Sequence, residues 1–413
     1  MPLSPPSSNK RTGPRPLGLH LGTAAATWLS CAAVLPNSKP GSLAWHPSLA
    51  ARAKALESER EKIPAPAFRE AIGREVRKRL GEFHDGLVRY RGARYRRTAA
   101  YPPPVWGEGT TRLYDYAPDA KPGALPVLLI PSLVNRAYVL DLDAENSLTR
   151  FLAAQGFRPF LVDWDAPGDL ERGFGLAAYI DGRLVEALAA VERRTRAKPA
   201  AVGYCMGGNL ALGLATKHQA RLRGLGLLAT PWDFHAERAD LAKGLADALH
   251  PWWPMIDMLG ELPVDMLQGL FSALDPLLAA KKFRAVAGVP EDHPKFRAFV
   301  ALEDWLNDGV GLAAQVAHET IEGWYVENRP ATGKWSLGGR TVNPRAVALP
   351  SFVAIPAQDR IVPPDSARAL AGKLKGATVV EPPLGHIGMV VGGRGRTELW
   401  APLAAWLGEL SRA

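Results

Sequence analysis

Three residues of this chain have the side chains that nucleophilic catalysis requires: Cys205, Asp359 and His386. A cysteine nucleophile needs a base, and the base needs a third group that orients it. Asp359 follows the apolar segment FVAIPAQ, and His386 follows the next such segment, ATVVEPPLG. Of the nine histidines in the chain, only His386 has this placement. The pattern therefore predicts a triad in which His386 is the base for Cys205 and Asp359 orients His386.

The nucleophile candidate lies in VGYCMGG, which follows a short apolar run and precedes a predicted helix. A nucleophile on a sharp strand-to-helix turn leaves no room for bulky neighbours. Gly203 and Gly207 would relieve this crowding, and Gly208 would let the helix pack close to the sheet. A helix N-terminus also favours a thiolate over a thiol. The alternative is that Cys205 is a buried, unreactive cysteine in a glycine-rich turn.

Attack on an acyl group also requires hydrogen-bond donors for the oxyanion that forms. Met206 directly follows Cys205, so its main-chain N–H would point into the site from the first turn of a helix. The second donor is expected from the loop after the early strand in PVLLIPSLVN, where Leu133 or Val134 could supply a main-chain N–H. The spacing alone does not choose between these two residues.

The segments that must position these residues predict an α/β fold. Short apolar runs alternate with helical periodicity, which is typical of a mostly parallel sheet with helices on both faces. We expect the catalytic core in residues 101–231 and 346–413. Residues 232–345 are rich in tryptophan and proline and predict a helical cap, inserted before the strand that carries Asp359. Residues 17–100 predict a helical N-terminal region, and residues 1–16 a disordered tail.

Composition narrows the possible partners and the cellular setting. Two cysteines cannot form a disulfide framework, so we expect a cytoplasmic protein, and no cluster of cysteine and histidine suggests a metal. The net charge of +9 favours anionic partners, but nucleic acid is not expected, because no dense Lys/Arg block is interleaved with aromatic residues. The apolar stretch Leu17–Leu35 predicts an amphipathic or partly buried helix, with an export signal as the alternative.

Several motifs resemble those of the polyhydroxyalkanoate synthases, a family of the α/β-hydrolase superfamily. The segment IPSLVNRAYVLDLDAENSLTRFLAAQGFRPFLVDW resembles the signature of that family, and GYCMGGN resembles its G-x-C-x-G-G box. DRIVP and GHIG resemble the segments that carry the acid and the histidine. The resemblance covers roughly residues 105–230 and 347–392. In α/β-hydrolase folds the triad residues also follow in the order nucleophile, acid, histidine.

The resemblance implies an acyltransferase that polymerises 3-hydroxyacyl-CoA into polyhydroxyalkanoate and releases CoA. Cys205 would carry the covalent acyl group, with His386 as the base and Asp359 as its partner. The CoA thioester is the substrate, and no separate cofactor is implied. The resemblance also implies association with the polymer granule and, as a partner, a second copy of the chain or a helper subunit.

The sequence departs from the family pattern at three places. Arg360 follows the acid where the family usually has histidine, Pro131-Ser132-Leu133 replaces a proline-tryptophan pair, and DWLNDGV contains an extra Leu306. These departures keep a second reading open, in which the same triad serves a thioesterase, an esterase or a polyester depolymerase. A third reading is a non-catalytic protein of a granule or membrane surface, with a degenerate hydrolase core. Acyl chain length depends on how the cap packs, and the sequence leaves it open.

Overall fold

The computed structural model describes residues 11–38, 41–45, 47–237 and 239–412. The chain forms two compact units, which are described separately. The first comprises Met1–Tyr95 and Phe271–Asn307, and the second comprises Arg96–Leu270 and Asp308–Ala413. All the candidate catalytic residues belong to the second unit.

Twelve strands are present in the described residues. In chain order they are β1 (Pro104–Glu108), β2 (Thr111–Asp115), β3 (Pro126–Ile130), β4 (Arg158–Asp163), β5 (Ala200–Tyr204), β6 (Gly224–Leu228), β7 (Glu261–Leu262), β8 (Leu312–Ala313), β9 (Ser336–Leu337), β10 (Arg340–Thr341), β11 (Ser351–Ala354) and β12 (Thr378–Val380). Eight of them form one sheet in the order β1-β2-β4-β3-β5-β6-β11-β12. The remaining four form two small antiparallel pairs.

The α-helices of the described residues lie before, between and after these strands. They are α1 (Leu17–Val34), α2 (Ala50–Glu61), α3 (Ala65–Gly92), α4 (Leu148–Ala154), α5 (Val185–Thr195), α6 (Met206–His218), α7 (Ala239–Leu249), α8 (Trp253–Leu259), α9 (Val264–Ser272), α10 (Leu278–Arg284), α11 (Pro294–Asn307), α12 (Ala314–Thr320), α13 (Pro364–Ala371), α14 (Gly388–Val391) and α15 (Ala401–Arg412). Three further segments are π-helical: Ala178–Leu184, Ile321–Val326 and Arg396–Trp400.

The large sheet belongs to the second unit and is mostly parallel. Strands β1 and β2 pair antiparallel, as do β2 and β4, and the other neighbours in the sheet run parallel. Every residue of β3, β5, β6 and β11 is buried, as expected of apolar strands covered on both faces. The predicted α/β fold is confirmed, and the acid-bearing loop after β11 follows the long insertion.

The first unit is helical, and aromatic side chains hold it together. Rings of α1, α3 and α10 meet edge to face, with centroids 6.3 Å apart for Trp28 and Phe83 and 6.1 Å apart for Phe83 and Phe283. A Cβ added to Gly86 of α3 would lie 2.2 Å from the carbonyl oxygen of Phe283. Helices α3 and α10 therefore approach closely at a residue without a side chain.

The packing of the first unit includes part of the segment that the sequence predicts as a single cap. Residues 271–307, expected within a single cap of residues 232–345, pack with the N-terminal helices instead. The reason is that Phe283, Phe296 and Val300 bury their side chains in the same apolar cluster as the side chains of α3. Residues 232–270 and 308–345 remain with the sheet.

The predicted disordered tail also differs in its described part. Met1–Lys10 lie outside the described residues, so that part of the prediction is not addressed. Arg11 is ordered by hydrogen bonds, because its guanidinium donates to Asp304 at 2.6 Å and to the carbonyl oxygens of Ala93 and Tyr95. Residues 11–16 therefore lead directly into α1.

Helix α1 contains the apolar stretch that the sequence analysis singled out. Ala24 and Trp28 are its buried residues, whereas Leu29 is 56% exposed. Within the described residues, Leu17–Asn37 is the one helical stretch that is long and apolar enough to cross a membrane.

Candidate active site

Cys205 lies on a sharp turn between β5, which ends at Tyr204, and α6, which begins at Met206. Its backbone has φ 56° and ψ −129°, a strained conformation for a residue with a side chain. The N–H of Cys205 donates to the carbonyl oxygen of Leu228 at 2.8 Å, and its carbonyl accepts from Gly208 N–H at 2.9 Å. The sheet and the first turn of α6 therefore hold the nucleophile candidate in this conformation.

The three glycines beside Cys205 lie where a side chain has no space. An added Cβ on Gly203 would lie 2.3 Å from the carbonyl oxygen of Gly207. One on Gly207 would lie 2.1 Å from the carbonyl oxygen of Ile130, and one on Gly208 would lie 1.8 Å from Thr230 Oγ1. The turn is thus packed directly against the ends of β3 and β6.

Asp359 and His386 are brought together by the loops that follow β11 and β12. His386 Nδ1 lies 2.6 Å from Asp359 Oδ2, and both side chains are buried. The other carboxylate oxygen, Oδ1, accepts the main-chain N–H groups of Ile361 at 2.8 Å and Val362 at 2.9 Å. Asp359 is therefore held by its own loop, and it orients the imidazole ring.

The remaining ring nitrogen of His386, Nε2, is available to Cys205, and the two side chains lie close enough to interact electrostatically. Burial lowers the pKa of His386, but the negative charges of Asp359 and Cys205 and the hydrogen bond to Asp359 outweigh burial and raise it to about 10. This environment stabilises the protonated imidazole of His386. The structure therefore brings all three sequence-predicted residues together, with His386 and Asp359 hydrogen-bonded and Cys205 within electrostatic range of His386.

Tyr204 contacts His386 through both its hydroxyl and its ring. Its hydroxyl donates to the carbonyl oxygen of His386 at 3.2 Å, and the two rings lie 5.2 Å apart between centroids. Burial and the charges of Cys205 and Asp359 raise the pKa of Tyr204, so the phenol stays neutral. The strand that ends at Tyr204 thus also fixes the loop that carries the histidine.

The loop after β3 offers one of the two predicted main-chain donors. The N–H of Val134 donates to Ser132 Oγ at 3.1 Å, whereas the N–H of Leu133 has no hydrogen-bond partner in the part of the chain described. Trp164 Nε1 anchors this loop by donating to the carbonyl oxygen of Pro131 at 3.0 Å. Met206 is the first residue of α6, so its N–H has no acceptor within the helix. The geometry favours Leu133 over Val134 as the partner of Met206.

Arg360 stands where the resembling family usually has histidine, and its side chain is exposed, in contrast to the buried Asp359. Among the residues that the structure describes, no group of three or more His, Cys, Asp or Glu side chains could hold a metal ion.

Sequence reasoning did not single out Tyr325, which lies close enough to Cys205 for the two groups to interact electrostatically. The available signal was indirect, because WYVEN is one of several aromatic segments in the predicted cap. Nothing in the spacing of Tyr325 relates it to the nucleophile.

Comparison with known proteins places this site in a family. A family model described as the alpha/beta hydrolase fold matches residues 126–392, a range that includes all three candidate catalytic residues. The poly(3-hydroxyalkanoate) polymerase subunit PhaC of Allochromatium vinosum is 30% identical over 74% of this chain and 87% of its own length. The chain belongs to the poly(3-hydroxyalkanoate) polymerase family. The resemblance stated from the sequence is thereby confirmed.

Other members of the poly(3-hydroxyalkanoate) polymerase family match the same share of the chain. PhaC of Synechocystis sp. is 30% identical over 74% of this chain and 83% of its own length. PhaC of Haloferax mediterranei is 27% identical over 74% of this chain but 63% of its own length. Among solved structures, a thermophilic esterase from Thermogutta terrifontis is 19% identical, with a TM-score of 0.41, over 76% of this chain and 98% of that chain.

Proposed function

We propose that this chain polymerises 3-hydroxyacyl-CoA into polyhydroxyalkanoate through a covalent acyl-cysteine on Cys205, with release of CoA. The observation that carries the proposal is a cysteine, not a serine, on the strained turn, close enough to the hydrogen-bonded His386–Asp359 pair to interact with it electrostatically. Membership of the polymerase family supports the same reaction class. No cofactor other than the CoA thioester itself is required.

In the first half of the proposed cycle, Cys205 Sγ forms a bond to the thioester carbonyl carbon. The oxyanion accepts hydrogen bonds from the N–H groups of Met206 and Leu133. The bond from the carbonyl carbon to the CoA sulfur then breaks, and the CoA thiolate takes the proton from His386. The acyl group stays activated, because one thioester has replaced another.

In the second half, the 3-hydroxyl oxygen of another acyl unit attacks the carbonyl carbon held on Cys205. His386 takes the hydroxyl proton, an ester bond forms, and the bond to Cys205 Sγ breaks. The thiolate–imidazolium pair is thereby restored. The net charge of +9 would help to attract the polyanionic CoA. Granule association and a second copy or helper subunit as partner are part of the same proposal.

The test is incubation of the purified chain with 3-hydroxybutyryl-CoA, followed by measurement of free CoA, insoluble polymer and acylated Cys205 by mass spectrometry. We expect all three, and we expect Cys205→Ala to lower CoA release by at least about 10⁴-fold, as removal of a nucleophile does in other enzymes. Cys31→Ala is the matched control, because Cys31 lies on α1 of the first unit and should leave the rate unchanged.

Hydrolysis is the competing outcome of this experiment. Release of CoA together with free 3-hydroxybutyrate, and no polymer, would assign the same triad to a thioesterase or esterase. Cys205→Ser helps to separate the two reactions, since a hydrolase would retain measurable activity and a synthase would lose nearly all of it.

A further inference from the structure

Tyr325 lies in the π-helical segment Ile321–Val326, which continues from α12 in the insertion between β6 and β11. Short π-helical segments within α-helices occur frequently at functional sites. The ring of Tyr325 packs edge to face on Phe234, with centroids 4.9 Å apart and an interplanar angle of 60°. Trp324 contacts the same phenylalanine, with centroids 5.5 Å apart. Phe234 thus supports both aromatic residues of this segment.

Polar contacts fix the backbone around Tyr325. His235 Nε2 donates to the carbonyl oxygen of Tyr325 at 2.9 Å. The Asn328 side chain accepts from Phe234 N–H at 3.1 Å and donates to Asp233 Oδ1 at 2.7 Å. Residues 233–235 and 325–328 therefore form one hydrogen-bonded unit, and the tyrosine has little freedom to move independently of it.

This hydrogen-bonded unit is connected through the backbone to the turn that carries Cys205, Gly203–Gly208. The chain that reaches Phe234 leaves β6 at Leu228, the residue whose carbonyl oxygen accepts from Cys205 N–H. Asn209, in the first turn of α6, donates from Nδ2 to the carbonyl oxygen of Pro231 at 2.8 Å. Cys205 and Tyr325 are therefore held by two ends of the same short piece of backbone.

The protonation state of the Tyr325 hydroxyl suits a hydrogen-bond donor near Cys205. Burial, followed by the negative charge of Cys205, raises the pKa of Tyr325 to about 12, so the hydroxyl keeps its proton at neutral pH and can donate. Across the described ranges, this hydroxyl has no hydrogen-bond partner, and it interacts with Cys205 through charge without bonding to it. A free donor near the nucleophile, but not bonded to it, suits a substrate atom bound between them.

We propose that the Tyr325 hydroxyl donates a hydrogen bond to the 3-hydroxyl oxygen of the acyl unit at Cys205, which makes Tyr325 a specificity-determining residue. This inference rests on the proposed function. The carbonyl oxygen of the acyl unit already has the N–H groups of Met206 and Leu133, and in the proposed cycle His386 exchanges its proton with the CoA sulfur and with the attacking hydroxyl of another acyl unit. The 3-hydroxyl is the remaining polar atom of the acyl unit, only a few bonds from the carbonyl carbon. A site built to bond a substrate hydroxyl discriminates against analogues that lack it.

The test compares the rates at which 3-hydroxybutyryl-CoA and butyryl-CoA acylate Cys205, measured by rapid quenching and mass spectrometry of the intact protein. The unsubstituted chain should prefer the hydroxylated thioester. Tyr325→Phe removes only the hydroxyl, and we expect this preference to fall about tenfold, the value of one hydrogen bond of about 1.4 kcal/mol. The rate with butyryl-CoA should change little.

Tyr179→Phe is the matched control, because it removes the same atom from another buried tyrosine, packed on Trp164 with centroids 5.6 Å apart. The preference of this variant should equal that of the unsubstituted chain. An equal loss with both thioesters in Tyr325→Phe would assign Tyr325 a structural role and overturn the inference, as would unchanged rates with both. Absence of acyl-Cys205 in the unsubstituted chain is a separate result, which would overturn the proposed function itself.

Discussion

The nucleophile turn and the aromatic segment around Tyr325 are held in place by different means. The turn, Gly203–Gly208, is shaped mainly by main-chain hydrogen bonds of Cys205 and by three glycines whose missing side chains let neighbouring segments pack against it. The aromatic segment depends on side chains that are far apart in the chain, such as Phe234 and Trp335, which both contact Trp324. We therefore expect the turn to tolerate almost no substitution, whereas substitutions in the aromatic segment should reduce function gradually.

The largest effect on activity is expected from Asp359→Asn, in the loop after β11. The amide cannot hold the imidazole in the same way, because the charge that raises the pKa of His386 is lost. We expect CoA release from 3-hydroxybutyryl-CoA to fall by about 10³- to 10⁴-fold, as for the equivalent substitution in a serine triad. Asp365→Asn is the control, because Asp365 is an exposed carboxylate paired with Arg368. A loss of less than tenfold for Asp359→Asn would contradict the assignment of Asp359.

The pH dependence of stability tests the same charge arrangement. The pKa of His386 in the folded chain, about 10, lies above its ordinary value of 6.5, so protonation of His386 favours the folded state. This contribution is complete below about pH 6.5 and is lost as the pH rises towards about 10. We expect the free energy of unfolding of the unsubstituted chain to fall between pH 7 and pH 10, measured by urea denaturation. His386→Gln should show a smaller decrease, and parallel curves would refute the ion pair.

A substitution within the turn tests its intolerance of side chains. In Gly207→Ala the new Cβ would meet the carbonyl oxygens of Ile130 and Pro131 at 2.1 and 2.6 Å, so β3 or α6 must shift. We expect a loss of about 1–3 kcal/mol of stability, measured by denaturant unfolding. CoA release should also decrease, because Pro131 leads into the oxyanion loop. Gly244→Ala in α7 is the control, since an added Cβ meets no described atom within 4 Å, and it should leave stability unchanged or raise it.

The smallest effect is expected in the aromatic segment. Phe234→Leu keeps an apolar side chain of similar size but removes the edge contact with Tyr325, a contact worth about 1 kcal/mol. We expect a drop in stability of that order and a partial loss of the preference for the 3-hydroxylated thioester. Phe174→Leu is matched to it, because Phe174 makes the same kind of contact with Tyr179 at 5.4 Å. Phe174→Leu should lose similar stability without any change in preference, and equal changes of preference in both variants would contradict the comparison.

The proximity of Cys205, Asp359 and His386 was predictable because the requirements of such an arrangement are local. A strained strand-to-helix turn needs glycines at fixed positions beside Cys205, and the acid and the histidine must each follow a strand of the same sheet. Both requirements leave marks in the sequence, as short apolar runs and as the pattern around the cysteine. The same reasoning left Leu133 and Val134 equivalent, since the choice depends on which N–H the Ser132 hydroxyl accepts.

The division of the insertion was not predictable in the same way. Residues 271–307 have helical periodicity like the segments around them, and only the packing of Phe283 against Phe83 and Tyr90 assigns them to the N-terminal helices. Periodicity shows that a helix has an apolar face, but it does not show which other face covers it.

By itself, the sequence determined the α/β fold, the polymerase family and the order of Cys205, Asp359 and His386, because these depend on residue types at short spacings. Only the tertiary structure decided that Tyr325 lies within electrostatic range of Cys205, that the N–H of Leu133 has no partner in the described residues and that residues 271–307 leave the cap. These features depend on contacts between segments distant in the chain. Such contacts depend on how side chains from distant segments pack together, and no periodic pattern in the sequence indicates this packing.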